Sequence, residues 1–379
     1  MILGRRWSWR GKILLVLGVS LGGFLGLGWF AFGLRLPPLQ WEPADRPTQQ
    51  EASSENFFVE ADGAYFVRQE GEAMVFRAFV PEPTLVVTAK ENTTAQVVVQ
   101  NLSPKLLPGP IAATSIEGIT RHYNFKIAPG NGMLIMPRFP TDQTEFRFAA
   151  LGDTGGEKEL RSAINRIEEL HVDFLIHLGD MEYEKGGIRH AASILNQASF
   201  PTYAAIGNHD FHDGLRLVHR DFTEFIGPRN SSFQLGGVKF LNLDTAADTY
   251  PADAGRRGAL LKSLLSKADE HSRKRTLVVF THRPLNDPRR GKEEDGHALG
   301  SRFERDWLAD TFQKLDVNLL LHGHIHQSYA FTEQGIPAYI VGNGLSLKEA
   351  DSSREVPSLL IGAWSTLFPA VACHWETLE

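Results

Sequence analysis

The chain has 379 residues, 42% hydrophobic and 22% charged, the balance of an ordinary globular protein and not of a disordered one. A formal net charge of −6 argues against nucleic acid as a partner. Cys373 is the only cysteine, so an intrachain disulfide, a cysteine-rich zinc site and an iron–sulfur cluster are all excluded, and any metal must be held by His, Asp, Glu, Asn or Tyr.

The first residues differ from the rest. Arg5, Arg6, Arg10 and Lys12 precede an uncharged apolar run, Ile13–Leu34, comparable with the ~20 residues that cross a bilayer. Positive charge on the cytoplasmic side would hold the N-terminus in and send the remainder out. Residues 1–35 are therefore expected to be a membrane anchor, with the catalytic part extracytoplasmic, periplasmic or extracellular. The competing reading is a signal sequence cleaved from a secreted protein, for which Ala31-Phe32-Gly33 is a weak cleavage site. Residues 36–56, rich in Pro, Gln, Glu and Ser, have the composition of a linker.

Over residues 57–145 the stretches "GAYFVRQ", "AMVFRAFV", "TLVVTAK", "AQVVVQNL", "HYNFKIA" and "GMLIMPRF" are strand-like and separated by turn residues. With no long amphipathic helix between them, they predict a small all-β sandwich domain, and no chemical motif falls inside it. From Thr144 the pattern becomes strand–helix alternation. "EFRFAALGD" is an apolar strand; "EKELRSAINRIEEL" then sets Leu160, Ile164, Ile167 and Leu170 on one helical face. "VDFLIHLGD", "TYAAIGNHD", "VKFLNLDT", "RTLVVFTH", "VNLLLHGH" and "PAYIVGNG" are further strands, with helices predicted in "RRGALLKSLLSKADE" and "RFERDWLADTFQKL". This is an α/β pattern with buried strands, expected to form a catalytic domain over 146–379 that two apolar runs after Ser358 close as strands.

Five of these strands end in polar residues: "GDTG" (152–155), "GDMEY" (179–183), "GNHD" (207–210), "VFTH" (279–282) and "GHIH" (323–326). Strand carboxyl ends face one crevice in an open α/β sheet. Asp153, Asp180, Tyr183, Asn208, His282, His324 and His326 are thus expected to converge, with enough oxygen and nitrogen donors for two metal ions. His177 and His322 lie inside apolar strands and are expected to be core histidines.

In this order the five tails resemble the calcineurin-like metallophosphoesterases, and within them the purple acid phosphatases. The general superfamily begins Asp-x-His, whereas Gly155 stands two after Asp153 here. In purple acid phosphatases that histidine is likewise missing and a tyrosine three after the second aspartate, here Tyr183, takes its place. The resemblance covers about residues 146–345 and implies a four-layer αββα sandwich of two mixed sheets. It further implies Fe(III) held by Asp153, Asp180, Tyr183 and His326, and a divalent ion (zinc, iron or manganese) held by Asp180, Asn208, His282 and His324. Phenolate in place of imidazole adds one negative charge, which a trivalent ion offsets, and oxygen-rich ligation favours such a hard ion. His209 matches the family position for a general acid or transition-state donor, and His297 loosely matches a substrate-contacting histidine of plant members.

The expected activity is hydrolysis of phosphate monoesters, with inorganic phosphate as a product. The alternatives are a metallophosphoesterase of phosphodiesters, cyclic nucleotides or pyrophosphates, or a metal-binding scaffold without activity. The loop after His282, "RPLNDPRRGKEEDG", is more charged than the family pattern; its Arg283, Arg289, Arg290 and Lys292 would suit an anionic substrate with more than one phosphate, and the competing reading, which the composition favours, is a solvated loop.

Overall fold

Turn residues and alternating burial divide the first part of the chain into short strands. In the computed structural model, described for residues 49–140, 143–211, 220–246, 255–271, 275–289, 297–300, 302–344 and 356–378, these are β1 (Gln49–Ser53), β2 (Phe57–Asp62), β3 (Ala64–Glu70), β4 (Ala73–Ala78), β5 (Thr84–Ala89), β6 (Thr93–Gln100), β7 (Ser115–Glu117), β8 (Thr120–Ile127) and β9 (Gly132–Ile135). They form two sheets, ordered β1-β2-β5-β9 and β3-β4-β6-β8-β7. Every second residue of β2, β5 and β6 is buried, as a strand with one face on a core requires. Val59, Leu85 and Val87 of one sheet share that core with Phe76, Val97 and Val99 of the other. β1 lies inside the stretch expected to be a linker; it pairs antiparallel with β2, from Gln49↔Asp62 to Ser53↔Phe58.

The remainder alternates as expected. It comprises β10 (Glu145–Leu151), α1 (Lys158–Glu169), β11 (Phe174–His177), α2 (Gly187–Asn196), β12 (Thr202–Ala204), α3 (Arg220–Phe225), β13 (Ser231–Leu235) and β14 (Val238–Asn242). There follow α4 (Gly255–His271), β15 (Thr276–Phe280), α5 (Arg302–Lys314), β16 (Leu319–His322), β17 (Ser328–Glu333), β18 (Ile336–Val341), β19 (Ser358–Ser365) and β20 (Ala372–Thr377). One mixed sheet runs β12-β11-β10-β19-β20, the other β13-β14-β15-β16-β18-β17. β10, β11 and β12 are mutually parallel, as are β14, β15, β16 and β18.

The two sheets face each other across an aromatic core. Phe146 and Phe148 of one lie 6.0 and 5.8 Å from Phe240 of the other, and Phe174 lies 6.3 Å from Phe233. Alternate residues sort the layers: Phe240, Val278 and Phe280 enter this central core, while Leu241 and Val279 turn outward to Leu261, Leu308 and Phe312 of α4 and α5. On the other side α1 buries Leu160, Ile164 and Ile167, the predicted face. The result is the expected sandwich of helix, sheet, sheet and helix, and it brings parallel strands of both sheets to one edge.

The membrane-anchored, outward-facing placement needs correction. Among the described residues no helix is long and apolar enough to cross a membrane. The longest, α4, has 17 residues and carries Arg256, Arg257 and Lys262, whereas a span needs ~20 mainly apolar ones. The Ile13–Leu34 run, like its alternative as a cleaved signal, lies outside the described residues.

Candidate metal centre

Each parallel strand hands its chain to a short polar turn at the same edge. Asp153 follows β10, Asp180 and Tyr183 follow β11, Asn208 and His209 follow β12, His282 follows β15, and His324 and His326 follow β16. Asp153, Asp180 and His324 have positive φ (57°, 59° and 68°), a conformation that costs free energy in most non-glycine residues and clusters at functional sites. Glycines make the turns possible. A Cβ on Gly207 would stand 2.0 Å from Asp180 Oδ1, and Gly179, at φ +94°, would meet His282 Nδ1 at 2.7 Å.

The side chains gather into two groups that share one carboxylate. Asp153, Asp180 and His326 each offer a donor atom within 4.8 Å of the others, and so do Asp180, His282 and His324. Tyr183 joins the first group: its hydroxyl donates to Asp180 Oδ2 at 3.2 Å and lies 3.1 Å from His326 Nε2. His326 Nε2 is 3.5 Å from Asp153 Oδ1. Asn208 joins the second group, with Oδ1 2.9 Å from His282 Nε2. His282 Nδ1–H donates to the Leu178 carbonyl at 2.7 Å, which turns Nε2 inward and fixes the tautomer a ligand needs.

Electrostatics mark the cluster as a place for cations. Asp153 and Asp180 are both buried, and burying carboxylates is costly unless they are paired or coordinate a metal. Backbone amides and Tyr183 donate to them: His324 N–H to Asp153 Oδ2 at 2.9 Å, His209 N–H to Asp180 Oδ1 at 2.9 Å and the Tyr183 hydroxyl to Asp180 Oδ2, while His326 and His282 stand 3.5 and 3.4 Å from the two carboxylates. Burial raises the Asp153 carboxyl above its ordinary range, against the opposing pull of His326 and His282. Burial acts on Asp180 too, but the charge and hydrogen bond of His282, then His209, hold it below that range. Reciprocally, Asp180 overrides burial at His282 and pushes it up to about 9. Burial lowers His324 to about 2, helped by the charges of His282 and Arg283. Burial, Asp153 and Asp180 together drive the Tyr183 phenol strongly up, so only a cation between them would favour phenolate. Carboxylates, a phenol, an amide carbonyl and imidazoles, without thiolate, suit hard to borderline metal ions. The residues fit a two-metal centre.

The other expected residues fall as follows. His209 is exposed and lies beside Tyr183, ring centroids 4.6 Å apart and ring planes tilted by 39°. His297 lies 5.4 Å from the His324 ring, at the border of the site. His177 is in the core: its Nε2 meets Thr154 Oγ1 at 2.9 Å and its Nδ1 accepts Gly179 N–H at 3.2 Å, bracing both aspartate turns. His322 is buried with Nδ1 2.7 Å from Thr281 Oγ1. Arg283 follows His282, and its backbone N–H donates to Thr245 Oγ1 at 2.8 Å. Arg289 is engaged by Asp287, while Arg290 and Lys292 lie outside the described residues.

One residue of the "GNHD" tail went unread in sequence. Asp210 accepts four backbone amides, from Gly207, Asp180, Met181 and Glu182, at 2.7 to 3.1 Å. It locks the β12 turn to the β11 turn. Its only signal was its place at the end of a motif already rich in ligands.

Residues 146–328 match the family model for calcineurin-like phosphoesterases. Together with the four-layer fold and the paired clusters, this identifies residues 146–328 as a calcineurin-like phosphoesterase domain, with side chains gathered as a dinuclear metal centre needs them. Among solved structures, the purple acid phosphatase PPD1 from yellow lupin (Lupinus luteus) seeds is similar, with 14% identity, 84% of this chain and 72% of its own covered, and a TM-score of 0.52. PhoD is similar with 11% identity, coverages of 79% and 87%, and a TM-score of 0.48. GAP50, the anchor in the inner membrane complex of Plasmodium, has 14% identity, coverages of 62% and 86%, and a TM-score of 0.43. At such identities the first of these likenesses speaks to fold alone, and the other two carry no argument. No curated protein matches the chain.

Proposed function

We propose that the protein is a purple-acid-phosphatase-like hydrolase of phosphate monoesters, using Fe(III) beside a divalent zinc, iron or manganese ion. The observation that supports this reading most is Tyr183, whose hydroxyl meets both Asp180 and His326 in the first cluster, while Gly155 stands where the wider superfamily has its histidine. Asp153, Asp180, Tyr183 and His326 would hold the trivalent ion; Asp180, Asn208, His282 and His324 would hold the divalent one. Residues 57–145 would be a small β-sandwich domain ahead of a catalytic domain over 146–379.

When bound, such a pair supplies Lewis-acid polarisation of the phosphoryl group and activation of water in acid. The chain's own residues do the rest. Asp180 draws the two sites onto one carboxylate. Leu178 orients the His282 ring, and neutral Asn208 adds a donor without charge. Exposed His209, next to Tyr183, would give a proton to the leaving alkoxide. His297, beside His324, lines the substrate's approach.

The reading predicts that aerobically purified protein is pink or purple from charge transfer between phenolate and Fe(III), and that Tyr183→Phe abolishes the colour. It also predicts faster hydrolysis of a chromogenic phosphate monoester than of the matching diester. A colourless wild type containing only divalent metal would remove the iron assignment. Faster diester hydrolysis would replace the monoester assignment, and inertness of metal-loaded protein toward both would favour a scaffold.

A further inference from the structure

β12 is three residues long and forms the edge of its sheet, yet it carries the turn that ends in Asn208, His209 and Asp210. One side of it is held by β11: Leu175 N–H donates to Pro201 O at 2.9 Å and Ala205 N–H to His177 O at 2.8 Å. Backbone groups alternate along a strand, so those of Thr202 and Ala204 face away from β11. An edge strand normally leaves such groups to water, but Thr202 is buried.

Two asparagine side chains stand in for the missing strand. Asn101, one residue beyond β6, accepts Thr202 N–H on Oδ1 at 2.8 Å and donates from Nδ2 to Thr202 O at 2.9 Å and Ala78 O at 2.8 Å. Asn242, at the end of β14, donates to Ala204 O at 2.9 Å and Pro228 O at 3.2 Å. Asn101 exchanges both bonds with one residue, as a paired strand would. It is buried and has φ +64°, a conformation that asparagine tolerates better than most side chains. Aspartate would lack the two donated bonds.

A second tie runs beside it. Arg77 of β4 is buried; its Nε donates to Ile226 O, just past α3, at 3.3 Å, and its Nη1 donates to Asn196 Oδ1 at the end of α2. Cations favour helix C-termini. The β-sandwich therefore grips β12, which leads into the Asn208 turn, α2, which follows the Asp180 turn, and the end of α3.

We propose that Asn101 is a positioning residue: acting through β12, the sandwich sets the Asn208–His209 turn and with it the second metal site. The metal part rests on the reading proposed above. The experiment compares full-length wild type, Asn101→Gly, Asn101→Asp and a sandwich-core control, Leu85→Ala. Glycine removes the amide while keeping the backbone conformation; aspartate keeps the acceptor for Thr202 N–H and serves if the glycine variant does not fold.

Amide hydrogen exchange and zinc titration are the readouts. In Asn101→Gly, exchange should quicken locally at residues 202–210, and zinc affinity at the second site should fall several-fold, less than the about 10- to 100-fold lost when a partner bonded directly to a ligand is removed, because Asn101 acts through Thr202. The colour of the first site should persist. Asn101→Asp should lie between it and wild type, and Leu85→Ala should show neither local change. Unchanged exchange at 202–210, uniformly faster exchange as in Leu85→Ala, or wild-type zinc affinity despite a loosened β12 would overturn the proposal. If wild type itself binds no zinc, the metal-site reading fails, while the exchange result still decides the role of Asn101 at β12.

Discussion

The sandwich sheets and the mixed sheets close their apolar cores alike, with alternate residues of each strand facing inward. They differ in what polar groups they bury. In the sandwich, Arg77 and Asn101 are buried because they reach out of it to α2, α3 and β12. In the mixed sheets, Asp153, His177, Asp180, Asp210, His282 and His322 are buried at the single edge where parallel strands end. Burial of a carboxylate or imidazole needs partners of its own, so the second pattern fits the metal pair proposed above and the first fits the brace proposed with it. On that reading, one region holds and the other binds.

That division can be broken by mutation. Leu85→Ala leaves a cavity in the sandwich core and should cost about 3 kcal/mol of stability in chemical denaturation. The folded protein should keep its full metal content. A loss of metal under conditions where the variant is fully folded would show that the sandwich core, and not only its ties, shapes the site.

A smaller effect sharpens the other side. Burial pushes His177 down to about 3, so the folded protein keeps it neutral while the unfolded chain protonates it near the ordinary value of about 6.5. Its contribution is complete above about 6.5 and is lost as pH falls toward about 3, because the unfolded state then binds the extra proton. Between pH 6.5 and 5 this amounts to about 2 kcal/mol, and His177→Gln should flatten that part of the stability profile. An unchanged slope would mean that another group sets the acid limit. His322, also lowered to about 3 by burial, should steepen the same limb in wild type.

The fold and much of the candidate site were legible because their signals are local. Apolar runs ending in glycine and a ligand-type residue named the five turns, and the helical spacing of Leu160, Ile164 and Ile167 named the face of α1. β1 (QQEAS) and β7 (SIE) are short and polar, and nothing in their composition separates them from loops. The braces were illegible for a different reason. Asn101 meets Thr202 across 101 positions and Arg77 meets Ile226 across 149, and a lone polar residue in a strand-rich stretch carries no trace of a partner so remote. His297 shows the intermediate case: a loose local likeness put it forward, and the fold sets its ring near His324.

The two clusters meet at Asp180, and this is the claim most open to direct test. Quantitative metal analysis of wild type and Asp180→Asn, both shown to be folded, should find two metal ions per wild-type chain, one for each cluster, and both depleted in the variant. A wild type that holds fewer than two, or a variant that loses only one, would contradict a shared carboxylate at the centre of the site.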